Sequence, residues 1–202
     1  MNTKREITGV VLAGGRGQRM GERDKGLLDF HGKALATWAI ERLRPQVEVL
    51  LISANRHQEA YAAMGAQVIC DVLPEFAGPL AGLQAGLTAA KTQWVVTVPC
   101  DSPLLPRDLV KRLDAAALRH PAKVAVASDG MQRHPVFCLC HVAMLPKLND
   151  YLARGERRVE RWLAEVGFAE ADFSDQPAAF ANLNTPSELS ALEQSPTRAP
   201  PK

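Results

Sequence analysis

The sequence predicts one α/β domain: an open, mostly parallel, Rossmann-like sheet with helices on both faces. Three observations lead there. Short continuous apolar runs alternate with segments of helical period, the pattern of strands buried on both faces and joined by crossover helices. The chain has 202 residues, 47% hydrophobic and 23% charged, a globular composition. At about 150 residues per domain that length makes roughly 1.3 domains, enough for a core without staples. Finally, a glycine-rich turn follows the first apolar run, at the edge where open α/β sheets bind ligands.

In chain order, strands are expected at Ile7–Leu12, Val49–Ser53, Gln67–Cys70, Trp94–Val98, Lys123–Ala127 and Pro135–Cys140, with a short late one near Ala179–Leu183. Between them Leu35, Trp38, Ala39 and Leu43 share one helical face. Leu80, Leu83 and Leu87 share a second, and Leu109, Leu113 and Ala116 a third. Pro79 and Pro106 suit the first turns of their helices, where a missing N–H costs nothing. After Leu192 the proline-rich run to Lys202 has no periodicity, so residues 193–202 read as a disordered tail to a domain spanning 1–192.

Composition excludes several classes. A net charge of +2 is too balanced for a nucleic-acid or polybasic membrane binder. No apolar run approaches the roughly 18 residues of a membrane span, and Val10–Ala13 is too short for the apolar part of a signal peptide. The expectation is a cytoplasmic protein without nucleic-acid or membrane partners. Cys70, Cys100, Cys138 and Cys140 form no C-x-x-C pair and sit in or just after apolar runs, so they read as reduced core thiols. No two histidines stand at a metal-ligand spacing.

The stretch after Leu12 carries the chemistry. Gly14, Gly15, Gly17, Gly21 and Gly26 fall within fourteen residues, among Arg16, Arg19, Arg23 and Lys25. Successive main-chain N–H groups in such a turn form an anion-binding nest, and the cations deepen it. Two better-known phosphate loops do not fit. Counting G-x-G-x-x-G from Gly15 puts Met20 at the third glycine, and Gly9 to Gly14 has the Walker A spacing but is followed by Gly15, not lysine.

Leu12-Ala13-Gly14-Gly15, then Arg19-Met20-Gly21 and Asp24-Lys25-Gly26, resembles the L-A-G-G-x-x-x-R-M-G-x-x-K signature of nucleotidyltransferases. The form here is most similar to that of the molybdenum cofactor guanylyltransferases, the MobA family. The resemblance implies a nucleotide-diphospho-sugar transferase-like fold and transfer of GMP from GTP to molybdopterin, with loss of pyrophosphate. It implies nucleotide contacts from Leu12, Ala13, Gly14, Gly15 and Lys25, with Arg19 and Lys25 on the phosphates.

A second constellation is the apolar run Trp94–Val98 delivering Asp101 beyond Pro99 and Cys100. Alone, such an aspartate could be a turn residue. Beside a triphosphate loop it is the best-placed ligand for Mg²⁺, which takes one or two protein carboxylates and keeps several waters. The resemblance implies the same role. Asp71 closes another apolar run and matches the family's GTP-contacting aspartate, while Gly78-Pro79-Leu80 matches a segment bordering the nucleotide pocket. Ser53 departs from the pattern: many relatives carry asparagine there, and Asn55 is the nearby amide able to compensate.

In the second half, Gly155-Glu156-Arg157-Arg158, His134-Pro135 and Asn182-Leu183-Asn184-Thr185-Pro186 match family segments together. They imply a molybdopterin site using Arg157, Arg158, Asn182 and Asn184, the arginines suiting the cofactor's terminal phosphate. The resemblance runs from about Ile7 to Leu189 and extends to partners, namely molybdenum-insertion proteins and the molybdoenzymes that receive the product. Rival readings are a cytidylyl or sugar-phosphate nucleotidyltransferase and a non-catalytic molybdopterin carrier. Lys25 and Asp101 speak against the carrier, which needs no metal-bound triphosphate.

Overall fold

The computed structural model describes residues 5–13, 24–71 and 78–181. The first strand, β1 (Ile7–Leu12), leads through a small hairpin of β2 (Asp29–Phe30) and β3 (Lys33–Ala34) into helix α1 (Leu35–Leu43). Then follow β4 (Val49–Ser53), α2 (Gln58–Ala62), β5 (Gln67–Ile69), α3 (Pro79–Ala89) and β6 (Trp94–Pro99). The second half runs α4 (Leu109–Arg119), β7 (Val124–Ser128), β8 (Arg133–His141), α5 (Leu145–Ala153), α6 (Val159–Val166) and β9 (Ala169–Asp172).

The main sheet has seven strands in the order β5-β4-β1-β6-β8-β7-β9. β5, β4, β1 and β6 are mutually parallel, β8 runs antiparallel to both β6 and β7, and β9 is parallel to β7. The chain therefore builds outward from β1 on one side through β4 and β5, then crosses to the other side with β6. That reversal opens a crevice beyond the carboxyl ends of β1 and β6.

Two apolar layers hold the helices to the sheet. Adjacent residues of a strand point to opposite faces, so Val11 packs with Ala39, Leu43, Leu109 and Leu113 from α1 and α4. Val10 instead packs with Leu80, Leu83, Leu148 and Trp162 from α3, α5 and α6. Helix α3 lies close against β1 because its facing positions are glycines: a Cβ at Gly86 would fall 2.7 Å from Val10 Cγ2, and one at Gly82 would meet Leu12 and, at 3.1 Å, Ser53 Oγ.

Three expectations need correction. The late strand near Ala179–Leu183 is absent over its described part, where Pro177–Phe180 forms a 3-10 turn. Phe180 is buried against Phe137 and Phe173, so this stretch packs by one anchoring ring and not by a strand's alternating faces. The last strand is instead β9, whose Glu170 and Asp172 alternate with buried Ala169 and Ala171. Pro106 precedes α4 by three residues, its carbonyl accepting from Leu109 N at 3.3 Å. Cys100, Cys138 and Cys140 are buried free thiols, but Cys70 is exposed, following the short β5 at the sheet's edge.

The close approach of α3 predicts the effect of a single methyl. Overpacking costs about 1–3 kcal/mol, while removing glycine from a helix returns about 1 kcal/mol. Gly86→Ala should therefore destabilise the fold by about 1 kcal/mol, measured by urea unfolding; a stabilised variant would mean that the α3–β1 contact is loose.

Candidate active site

The crevice is assembled from the ends of three strands. Leu12 lies in register with Ser53 of β4 on one side and Pro99 of β6 on the other. Beyond the strands the ladder persists: Ala13 N donates to Ser53 O at 2.8 Å, and Cys100 N donates to Leu12 O at 3.1 Å. Main-chain hydrogen bonds thus bring Ala13, Ser53 and Asp101 to one edge. Gly14, Gly15 and Arg19 lie outside the described residues.

Lys25 opens a 3-10 turn, Lys25–Leu27, whose preceding residue Asp24 accepts from Gly26 N at 3.1 Å. The turn brings Lys25 Nζ within 3.5 Å of Asp101 Oδ2. Asp101 is only 9% exposed. Burial pushes its carboxyl above the usual carboxylate range, and Lys25 opposes that shift by charge and hydrogen bond. The Asp101 carboxylate, with the Lys25 ammonium 3.5 Å from one oxygen, keeps lone pairs free to coordinate a divalent cation. Among the described residues no three His, Cys, Asp or Glu cluster as a metal cage. The donor set suits Mg²⁺, which needs few protein ligands beside substrate phosphate.

At the other end of the crevice Asp71 is fixed by two donors. Ser53 Oγ donates to Asp71 Oδ1 at 3.1 Å, and Asn55 Nδ2 donates to Oδ2 at 2.8 Å. Asp71 N returns a bond to Asn55 Oδ1 at 2.9 Å. Asn55 thus joins Ser53 at the very carboxylate the sequence singles out. Each carboxylate oxygen keeps acceptor capacity for a ligand.

Gly78 precedes α3 with φ +75°, a conformation that suits glycine, and among the described residues no atom lies within 4 Å of where a Cβ would be. Pro79 is the first helical residue. The Leu80 side chain is 1% exposed and belongs to the core, so it does not line the crevice.

Strand directions carry the second-half segments to the same edge. β8 starts where β6 ends, which places His134 there. α6 must begin at this edge so that β9 can start at the opposite one. The two arginines differ in their contacts. Arg157 donates to Leu152 O and Glu156 O, both at 2.7 Å, and so ties down the end of α5. Arg158 precedes α6, its carbonyl accepting from Tyr151 Oη at 2.8 Å, while its side chain is exposed. Asn182 and Asn184 lie outside the described residues.

Two polar groups escaped the sequence reading. Asp129, in the β7–β8 turn, accepts from Met131 N and Gln132 N at 2.8 Å each, and His134 Nε2 lies 2.8 Å from its other oxygen. The His134 ring stacks on Phe180 at 4.4 Å. Tyr61, on α2, donates to Asp24 Oδ1 at 2.5 Å. Neither residue carries a sequence signal, because their partners are set by the fold. A groove of about 470 Å³ lined by Arg5, Gln46, Arg107, Asp108 and Lys111 reaches Ile7, at the start of β1, and is not part of the crevice.

Comparison with known proteins decides the family. The model for the MobA-like NTP transferase domain matches residues 9–170. The chain belongs to this family. A relative in Cupriavidus taiwanensis named molybdenum cofactor guanylyltransferase is 49% identical over 96% of this chain and 99% of the relative. One of the same name in Yersinia pseudotuberculosis is 46% identical over 93% and 95%. Among solved structures, the molybdopterin-guanine dinucleotide biosynthesis protein A of Archaeoglobus fulgidus superposes with a TM-score of 0.75 at 19% identity, covering 92% of this chain and 96% of that one. A CMP:2-keto-3-deoxy-manno-octonic acid synthetase complexed with CTP gives 0.70 at 15% identity, over 94% and 97%. These two likenesses establish the fold.

In this MobA-like chain the Asp129 turn sets an acid limb. Its backbone donors and His134 hold the carboxyl down at about 2. A group depressed in the folded state stabilises it fully above its unfolded value of about 3.9, and that contribution fades as pH falls toward 2. Asp129→Asn should unfold at lower urea than the parent at neutral pH, with the difference shrinking between pH 4 and pH 2. A difference constant over that range would mean the carboxylate's charge contributes nothing.

Proposed function

We propose that the chain transfers GMP from GTP to the molybdopterin cofactor, forming the guanine dinucleotide cofactor and releasing pyrophosphate. The observation that carries this reading is the Lys25–Asp101 pair, 3.5 Å apart at the sheet's reversal point, in a chain 46–49% identical to proteins named molybdenum cofactor guanylyltransferase.

The terminal phosphate oxygen of molybdopterin attacks the α-phosphorus of GTP. A new P–O bond forms, the bond from the α-phosphorus to the bridging oxygen breaks, and its electron pair leaves with pyrophosphate. The attacking oxygen is already anionic at neutral pH and needs no general base, so the barrier lies in bringing two polyanions together. Positioning and charge neutralisation supply the catalysis.

Lys25, with Arg19, neutralises the triphosphate, and the main chain from Leu12 to Gly15 cradles it. Asp101 would hold Mg²⁺, which when bound would screen the phosphate charge. Asp71, oriented by Ser53 and Asn55, accepts from guanine N1–H and N2–H. Cytosine presents N3 and O2 as acceptors and cannot match a carboxylate in this way. The Gly78–Leu80 backbone closes the pocket. At the acceptor end Arg158, with Asn182 and Asn184, meets molybdopterin, and Arg157 holds the loop that presents Arg158. Four free cysteines fit a reducing cytoplasm, where the product passes to molybdenum-insertion proteins and molybdoenzymes.

Incubating the chain with molybdopterin and each nucleoside triphosphate should yield pyrophosphate with GTP and little with CTP or ATP. Chelating Mg²⁺ should stop turnover and restoring it should recover turnover. Lys25→Ala and Asp101→Asn should each lower kcat/KM by an order of magnitude or more (about 1.4 kcal/mol per tenfold) without unfolding the protein. A preference for CTP, or full activity in these variants, is the outcome that removes the assignment.

A further inference from the structure

Lys25 is aimed by a residue remote in sequence. Tyr61 projects from α2 into the core, where its side chain is fully buried. A buried phenol needs a partner for its O–H, and here it donates to Asp24 Oδ1 at 2.5 Å. The same oxygen accepts from Gly26 N at 3.1 Å, so the residue that caps the Lys25 turn is itself anchored by Tyr61. The other side of the turn is equally confined. A Cβ on Gly26 would run into the Tyr61 hydroxyl and lie 3.2 Å from Cys100 Sγ, and Cys100 directly precedes Asp101. Both members of the Lys25–Asp101 pair therefore rest on the same small group of buried atoms.

We propose that Tyr61 is a positioning residue for the phosphate site, acting through Asp24 to fix the turn that points the Lys25 ammonium toward Asp101 and the triphosphate. A lysine has a long flexible stem and loses rotamer entropy when it is immobilised, so a turn fixed in advance lowers the cost of binding nucleotide. Packing alone does not require the hydroxyl, since phenylalanine has the same ring. Burial pushes the phenol's pKa well up, which keeps it a neutral donor to the Asp24 carboxylate. The proposal rests on reading Lys25 as a phosphate ligand.

The test is a double-mutant cycle on nucleotide binding. Calorimetry should give the dissociation constant of Mg·GTP for the parent chain, Tyr61→Phe, Lys25→Ala and the double variant, beside KM for GTP and for molybdopterin. Tyr61→Phe should weaken GTP binding about tenfold, the size of a hydrogen bond to a charged group, and leave KM for molybdopterin unchanged. In the Lys25→Ala background the same change should matter less than about twofold, because its effect passes through the lysine. Asp24→Ala, at a half-buried site, should repeat this pattern and serves if Tyr61→Phe does not fold. Equal losses in both backgrounds, or a Tyr61→Phe chain that binds GTP like the parent, overturns the positioning role alone. A parent chain that does not bind Mg·GTP overturns both this role and the functional reading beneath it.

Discussion

Everything at the crevice depends on the main-chain ladder that holds β1 between β4 and β6. Those bonds continue past the last strand residues, through Ala13 to Ser53 and Cys100 to Leu12. Segments far apart in sequence are thereby held at one edge by groups that every residue possesses. Side chains at that edge inherit the precision of the ladder, and so it tolerates a buried carboxylate at Asp101. Close packing of α3 on β1 serves the same end, since the glycines that admit the helix also bring Gly78 to the rim.

The polar groups beneath the crevice are arranged in pairs that orient one another. Ser53 and Asn55 hold Asp71, Tyr61 holds Asp24, and Lys25 faces Asp101. In a low-dielectric setting an unpaired member of such a set is costly, while a satisfied set is rigid. Rigidity is what a phosphoryl-type transfer asks of its protein, because the reacting groups arrive already charged and need placement more than activation. The buried thiols lie outside this scheme: burial raises the pKa of Cys100 and takes that of Cys138 up to about 12, which leaves both as inert packing atoms.

Much of this architecture is legible in the residues. Continuous apolar runs locate β1, β4, β6, β7 and β8 within a few positions, because strands buried on both faces have no alternation to confuse with another period. The same logic fails for β9, where Glu170 and Asp172 interrupt the apolar signal, and for the turn at Phe180, where one aromatic anchor imitates a strand. At the site, Lys25, Ser53, Asp71 and Asp101 are visible because each stands just past an apolar run or within a recognisable motif. Tyr61 and Asp129 are invisible for a physical reason. A tyrosine in a helix reads as ordinary core, and its partner stands 37 positions earlier in the chain; an aspartate before glycine reads as an ordinary turn.

The single reversed strand β8 has a consequence for how such a scaffold can change. It stands between the four parallel strands and the β7–β9 pair, so the sheet has a parallel half and a second half of mixed direction that meet along the β6–β8 ladder and share one rim. Insertions or substitutions in the β7–β8 hairpin and in the α5–α6 loop can reshape what is accepted there while leaving the other half's hydrogen bonds untouched. A fold partitioned in this manner can acquire new acceptors without relearning how to hold its donor.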